Sequence, residues 1–185
     1  MIGFRRDPDG LVADLEEVEV TLLESLISQV NDLLGPAEGA EADDPFEHWA
    51  GSFNPSDTLD DADPVVARLF PDAYADDPVA AAEHRRFTQD EQRRERLRDG
   101  ATVLADLNRT EGGRAPLLIP AGHTTAWLKT LTAVRLALAV RLGIEAEVDL
   151  AELEQLPVRD PRSQIVALYD WLAVLLELLL EAMAP

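Results

Sequence analysis

Apolar residues recur at helical spacing in several long stretches of this chain. Val18, Leu22, Leu26, Val30 and Leu33 fall three or four positions apart, which predicts a helix from about 16 to 34 with that row facing inward. Glu16, Glu17 and Glu19 crowd its first turns, where the helix dipole favours acids, and Gly35-Pro36 ends it. Leu97, Ala101, Leu104 and Leu107 form the inward row of a second helix that runs to about Asn108. Trp127, Leu128, Leu131, Val134, Leu138 and Leu142 line one face of a third, which begins at Thr124 or Thr125 and stops at Gly143. The last helix reaches the C-terminus and is apolar nearly all round, with Asp170, Glu177 and Glu181 as a narrow polar stripe. Such a helix is either central to a core or covered by a partner subunit.

Breaks in the pattern place the remaining elements. Asp-Pro occurs at 63–64, 77–78 and 160–161, and each pair reads as a helix start: the aspartate caps and the proline takes the first helical position. The first of them opens a short helix that reaches Phe70. The second opens a helix that meets Thr88-Gln89-Asp90-Glu91, whose spacing fits a capping box and predicts a kink or restart at Thr88. Asp7-Pro8-Asp9-Gly10 is turn chemistry between two short strands, Ile2 to Arg6 and Leu11 to Leu15, and Pro116 to Pro120 reads as a third strand beside them. Residues 36–63 lack lysine and arginine and read as a long acidic loop, pinned in part by Phe46, Trp49 and Phe53. A short acidic segment, Glu145 to Gln155, leads to Pro157. The expected fold is mainly α: one domain over 1–185, a bundle of about five helices with a small β-hairpin or three-stranded element.

Composition narrows the chemistry. The formal net charge is -20 and there is no cysteine. Disulfides, thiol redox chemistry and cysteine-based zinc sites are thereby excluded. An acidic chain repels phosphate, so direct nucleic-acid binding and anionic membrane surfaces are disfavoured. Ile165 to Met183 is about as long as a membrane span but carries three acids, and reads as a buried soluble helix. MIGFRRDPDG has arginines with no apolar run behind them, so no signal peptide and a cytoplasmic location are expected.

The densest candidate chemistry is basic. Arg85, Arg86, Arg93, Arg94, Arg96 and Arg98 form either a surface for an acidic partner, with Phe87 beside it, or a solvated helix face. Arg86–Asp90, Asp90–Arg94 and Glu91–Arg94 have the spacing of same-helix ion pairs, which favours the second reading. The partner-binding set to test is Arg85, Arg86, Phe87, Arg93, Arg94 and Arg98. Arg68, Arg135 and Arg141 lie in apolar stretches, either as ligand clamps or paired with carboxylates such as Asp72, Asp76, Glu83 or Asp170. Pairing is expected, because burying a charge forces it to find a partner. The alternative is an enzyme or small-ligand binder, with a pocket between residues 68–88 and 124–142 lined by Arg68, Tyr74, Glu83, Arg86 and Arg135.

His48, His84 and His123 fall in separate segments without the spacing of metal ligands on one helical face. Asp57, Asp60, Asp61 and Asp63 lack the register of a calcium loop. No nucleophile elbow or phosphate loop occurs. No catalytic residue, cofactor or metal is therefore assigned.

Four segments taken together carry a resemblance: FRRDPDGLVADLEEVEVTLLESL at 4–26, DPVVARLFPDAYADDPVAAAEHRRFT at 63–88, AWLKTLTAVRLALAVRLGI at 126–144 and LYDWLAVLLELLLEAM at 168–183. Their combination resembles an uncharacterised actinobacterial domain family with one branch described as an AosR-like oxidative-stress regulator. The resemblance implies a non-enzymatic cytoplasmic regulator acting through protein contacts, with a sigma factor or other transcription machinery as partner. In that branch a cysteine pair senses oxidation; this chain has none to carry such a switch. A homodimer is also expected, from the apolar circumference of the last helix and from Trp127 and Trp171.

Overall fold

A short sheet closes one end of a helical body. In the computed structural model, which describes residues 3–35, 63–71, 73 and 77–184 (the side chains at 78, 81, 82, 85 and 86 excepted), β1 spans Arg5–Asp7, β2 Gly10–Ala13 and β3 Leu117–Pro120. The sheet is antiparallel with order β1-β2-β3, and Leu11 pairs with Ile119 while Ala13 pairs with Leu117. All four of those side chains are buried, as the two-residue period of a strand requires. Gly10 has a φ of 149°, and a Cβ there would stand 2.0 Å from the Ile119 carbonyl oxygen, so only glycine lets β2 and β3 approach so closely.

Six α-helices follow among the described residues: α1 Glu17–Leu34, α2 Pro64–Leu69, α3 Pro78–Asn108, α4 Thr124–Leu142, α5 Glu147–Leu153 and α6 Pro161–Met183. The fold is thus mainly α with a small three-stranded element, as the pattern predicts. All three Asp-Pro starts carry the expected cap. Asp63 accepts from Val65 N–H at 2.8 Å, Asp77 from Val79 and Ala80 N–H at 3.1 Å, and Asp160 from Arg162 N–H at 2.9 Å. The acidic loop at 36–63 lies outside the described residues except for Asp63, and so do Tyr74 and His48.

Three expectations need correction. The buried row of α1 is Val20, Leu23, Ile27 and Leu34, while Val18 and Leu22 face solvent. Apolar residues cover more than one face of this helix, so periodicity fits two phases, and packing against α3 and α4 selects one. α3 runs unbroken through Thr88, whose hydroxyl donates to the His84 carbonyl at 2.8 Å instead of capping a new helix. No proline or glycine precedes Thr88 to break the backbone there, and the flanking residues are good helix formers. The segment 145–155 is not merely acidic: Asp149 accepts from the N–H groups of Glu145 and Ala146, at 2.9 and 2.8 Å, and starts α5.

α4 is the centre of the core. Trp127, Leu131 and Val134 meet Leu23 and Ile27 from α1, Val103 and Leu107 from α3, Leu172, Leu175 and Leu179 from α6, and the inner face of the sheet. A second cluster joins Val65, Val66, Leu69 and Phe70 to Leu34, Leu97 and Ala133. On α3, Leu97 and Leu107 point inward as expected, but Ala101 is exposed. α6 lays Val166, Leu172, Leu175 and Leu179 on the core and keeps Asp170, Glu177 and Glu181 toward water, together with Ile165, Val174, Leu180 and Met183. Trp127 is fully buried and Trp171 packs partly buried against the same cluster. No helix among the described residues is long and apolar enough to cross a membrane.

Asp63 both caps α2 and meets Arg141 at the end of α4, at 2.8 Å. Its carboxyl is held below the ordinary value, first by the Val65 N–H and then by Arg141. A lowered folded pKa means the stabilisation is present at neutral pH and is lost as pH falls through the acid range. Asp63→Ala should cost about 1 kcal/mol, and Asp63→Asn, which still caps, should cost less. Urea titrations at pH 7 check both. The gap between wild type and Asp63→Asn should shrink when the titration is repeated near pH 3.

Candidate functional site

The arginines sort by what lies at the ends of neighbouring helices. The last carbonyls of an α-helix have no partner within it and carry its partial negative charge. Arg93, 6% exposed, donates its Nε–H to the carbonyl of Leu34, the last residue of α1, at 2.5 Å. Gly35 leaves room for it, since a Cβ there would sit 3.0 Å from Nη2. Arg96 donates to the carbonyl of Leu69, the last residue of α2, at 2.9 Å, and its guanidinium lies 5.3 Å from the centre of the Phe70 ring. Burial lowers its pKa. From β1, Arg6 donates to the Ala182 carbonyl at the end of α6, at 3.0 Å. Three arginines therefore cap three helices.

Arg93 accordingly leaves the expected partner surface: it is internal. Arg94 and Arg98 remain outside, both on the Glu91 carboxylate at 3.2 and 3.4 Å. Phe87 is 80% exposed. Positions 87, 91, 94 and 98 share one helical face, and exposed Val79 and Glu83 extend it toward the start of α3. Arg85 and Arg86 lie on α3, but their side chains are outside the description.

Of the expected ion pairs, Arg141 forms one, with Asp63. Arg135 does not pair with a carboxylate among the described residues. Its guanidinium lies 4.2 Å from the centre of the Tyr169 ring on α6, and its buried Nε has no hydrogen-bond partner among the described residues. Arg68, Glu83 and Asp170 are exposed and make no ion pair with another described residue. α2 buries Val65, Val66 and Leu69, which leaves Arg68 on its outer side. Arg68 and Glu83 face solvent while Arg135 faces α6, so these three do not converge on a pocket. An open groove of about 420 Å³ lies elsewhere, between the hairpin turn and the end of α6, and there Arg6 is already bonded to Ala182.

One constellation is absent from the sequence reading above. Asp106, on α3, has no exposed surface, yet three side chains converge on its carboxylate. The Trp127 indole N–H donates to Oδ2 at 2.9 Å. His123, in the 3-10 turn Ala121–His123 that leads into α4, places Nδ1 3.0 Å from Oδ2 and 3.1 Å from Oδ1. Arg109 closes the set through Nη2 on Oδ1. Two signals pointed to it: an acid between the inward-facing Leu104 and Leu107, and a core tryptophan whose N–H needs an acceptor.

Chemically, Asp106 fixes the His123 imidazole with Nδ1–H toward the carboxylate and leaves Nε2 on the outer side, with 37% of the side chain exposed. An oriented imidazole is one half of a nucleophile–base pair. Two neighbouring hydroxyls serve backbone carbonyls: Thr110 donates to Leu107 at 2.7 Å and Thr124 to Ala121 at 2.9 Å. Among the described residues, no three histidine or acidic side chains gather to hold a metal. The cluster is a structural hub joining α3, the 3-10 turn and α4.

Asp106→Ala should cost roughly 1–3 kcal/mol, because it strands the buried Trp127 N–H, while Arg109, more than half exposed, turns to water. His123→Gln should cost far less, since Trp127 and Arg109 keep their acceptor. Denaturant unfolding followed by tryptophan emission reads both.

Comparison with curated proteins finds no match, and neither does comparison with solved structures. Residues 1–183 match a family model described as a domain of unknown function, DUF2017. With nearly its whole length covered, the chain belongs to that family.

Proposed function

We propose that the chain is a non-enzymatic regulatory protein that docks a protein partner on the outer face of α3. The observation that carries this is Phe87, 80% exposed and in line with Glu91, Arg94 and Arg98. Aromatic and arginine side chains dominate the energetics of protein interfaces, and water alone gives a phenyl ring no reason to stand clear of the surface. The fitting partner offers an apolar pocket for Phe87, bordered by acids that draw Arg94 and Arg98 away from Glu91. The resemblance to oxidative-stress regulators supports a cytoplasmic partner in the transcription machinery, a sigma factor in particular. With no cysteine, thiol oxidation within this chain has no part in the control. A net charge of -20 argues against docking on nucleic acid itself.

A photo-crosslinking residue at position 87, expressed in the native cell, should give a discrete protein adduct. The same residue at the equally open position 158 should give none. Arg94→Glu with Arg98→Glu should weaken the adduct roughly tenfold or more while leaving the Tm nearly unchanged. Adducts of equal yield at both positions, or an adduct at 87 indifferent to the charge reversal, would remove the surface.

A further inference from the structure

Where α1, α3 and α4 meet, they leave a partly open cavity of about 20 Å³, enough for one water molecule. Ile27 and Ala133 are among its apolar walls, and Asn31, Asp99 and Thr130 are among its polar ones, with Arg96 and Lys129. Two buried atoms of that lining, Asp99 Oδ2 and Thr130 Oγ1, have no hydrogen-bond partner among the described residues. Thr130 is only 7% exposed. Threonines elsewhere in these helices settle their hydroxyls locally: Thr21, Thr88 and Thr102 each donate to the carbonyl four residues back, at 2.9, 2.8 and 2.9 Å. Thr130 makes no such bond, so its proton is available to the void. Asp99 Oδ2 is an acceptor in the same wall, and Lys129, 3.8 Å away, is too far to satisfy it because Lys129 reaches Glu95 at 2.5 Å.

We propose that this junction is a binding site for one water molecule, which accepts from the Thr130 hydroxyl and donates to Asp99 Oδ2. The Asn31 amide supplies the third contact. Gly100 keeps that amide in place, since a Cβ there would come within 2.5 Å of Asn31 Oδ1. A neutral guest fits better than an ion. Lys129 and Arg96 in the lining oppose a cation, and the Asp99 carboxylate opposes an anion. The water joins all three helices, one polar group from each.

A high-resolution crystal structure of the whole chain tests the site. The expected result is a single density peak within hydrogen-bond reach of Asp99 Oδ2 and Thr130 Oγ1. Thr130→Val, which keeps the shape and removes the hydroxyl, should lose the peak and lower the Tm; Thr130→Ser should keep both. An empty void in the wild type, or a Thr130 hydroxyl bonded to the Ala126 carbonyl, overturns the proposal. So does a Thr130→Val protein as stable as wild type or more so, because a dry cavity gains by losing an unpaired hydroxyl. If Thr130→Val fails to fold, the wild-type density decides alone.

Discussion

A carboxyl group with no access to water must find its hydrogen bonds inside the protein, and Asp106 is where this fold meets that demand. Trp127, His123 and Arg109 meet it from three different segments. The consequence is geometric. α4 is the helix on which α1, α3, α6 and the sheet all pack, and its rotation about its own axis is set by where the Trp127 indole N–H must point. The 3-10 turn before it is fixed by His123, and β3 runs directly into that turn. Hydrophobic burial supplies most of the driving force but has no direction. The polar hub supplies the direction.

A second constraint governs the arginines. Sixteen basic residues against thirty-six acidic ones suggest that every inward arginine would find a carboxylate. Of Arg68, Arg135 and Arg141, only Arg141 does so among the described residues. Arg93, Arg96 and Arg6 go to helix C-terminal carbonyls, and Arg96 and Arg135 also cover the rings of Phe70 and Tyr169. The preference has a physical basis. Pairing with a buried carboxylate means desolvating a second full charge, whereas a helix end offers carbonyls that already lack donors. The same bond therefore satisfies a cation and closes a helix.

What could be read along the chain was whatever is decided within a few residues. Aspartate followed by proline makes its cap from its own next turn, so all three starts were legible. Asp7 to Gly10 reverses the chain by local backbone preference, and the hairpin followed. What failed was decided at a distance. Val18 and Val20 are equally apolar, and only the position of α3 and α4 determines which is buried. Arg93 and Arg94 are neighbours in sequence but about 100° apart around the helix. One finds the end of α1 and the other water, and nothing local distinguishes them. Asp106 and His123 were separately visible as one acid and one histidine; their meeting needed the turn between α3 and α4.

The two sides of α3 belong together in any account of what the protein does. Its inner side is fixed at three points, by Arg93 on α1, Arg96 on α2 and Asp106 on α4. Its outer side presents Phe87, Glu91, Arg94 and Arg98. Contacts on a mobile segment lose affinity to the ordering they require, while contacts on a fixed helix do not. The arginines that look from the sequence like one charged surface are therefore divided by the helix itself. One group fixes α3 in place, and the other, under the proposed docking, gains from that rigidity.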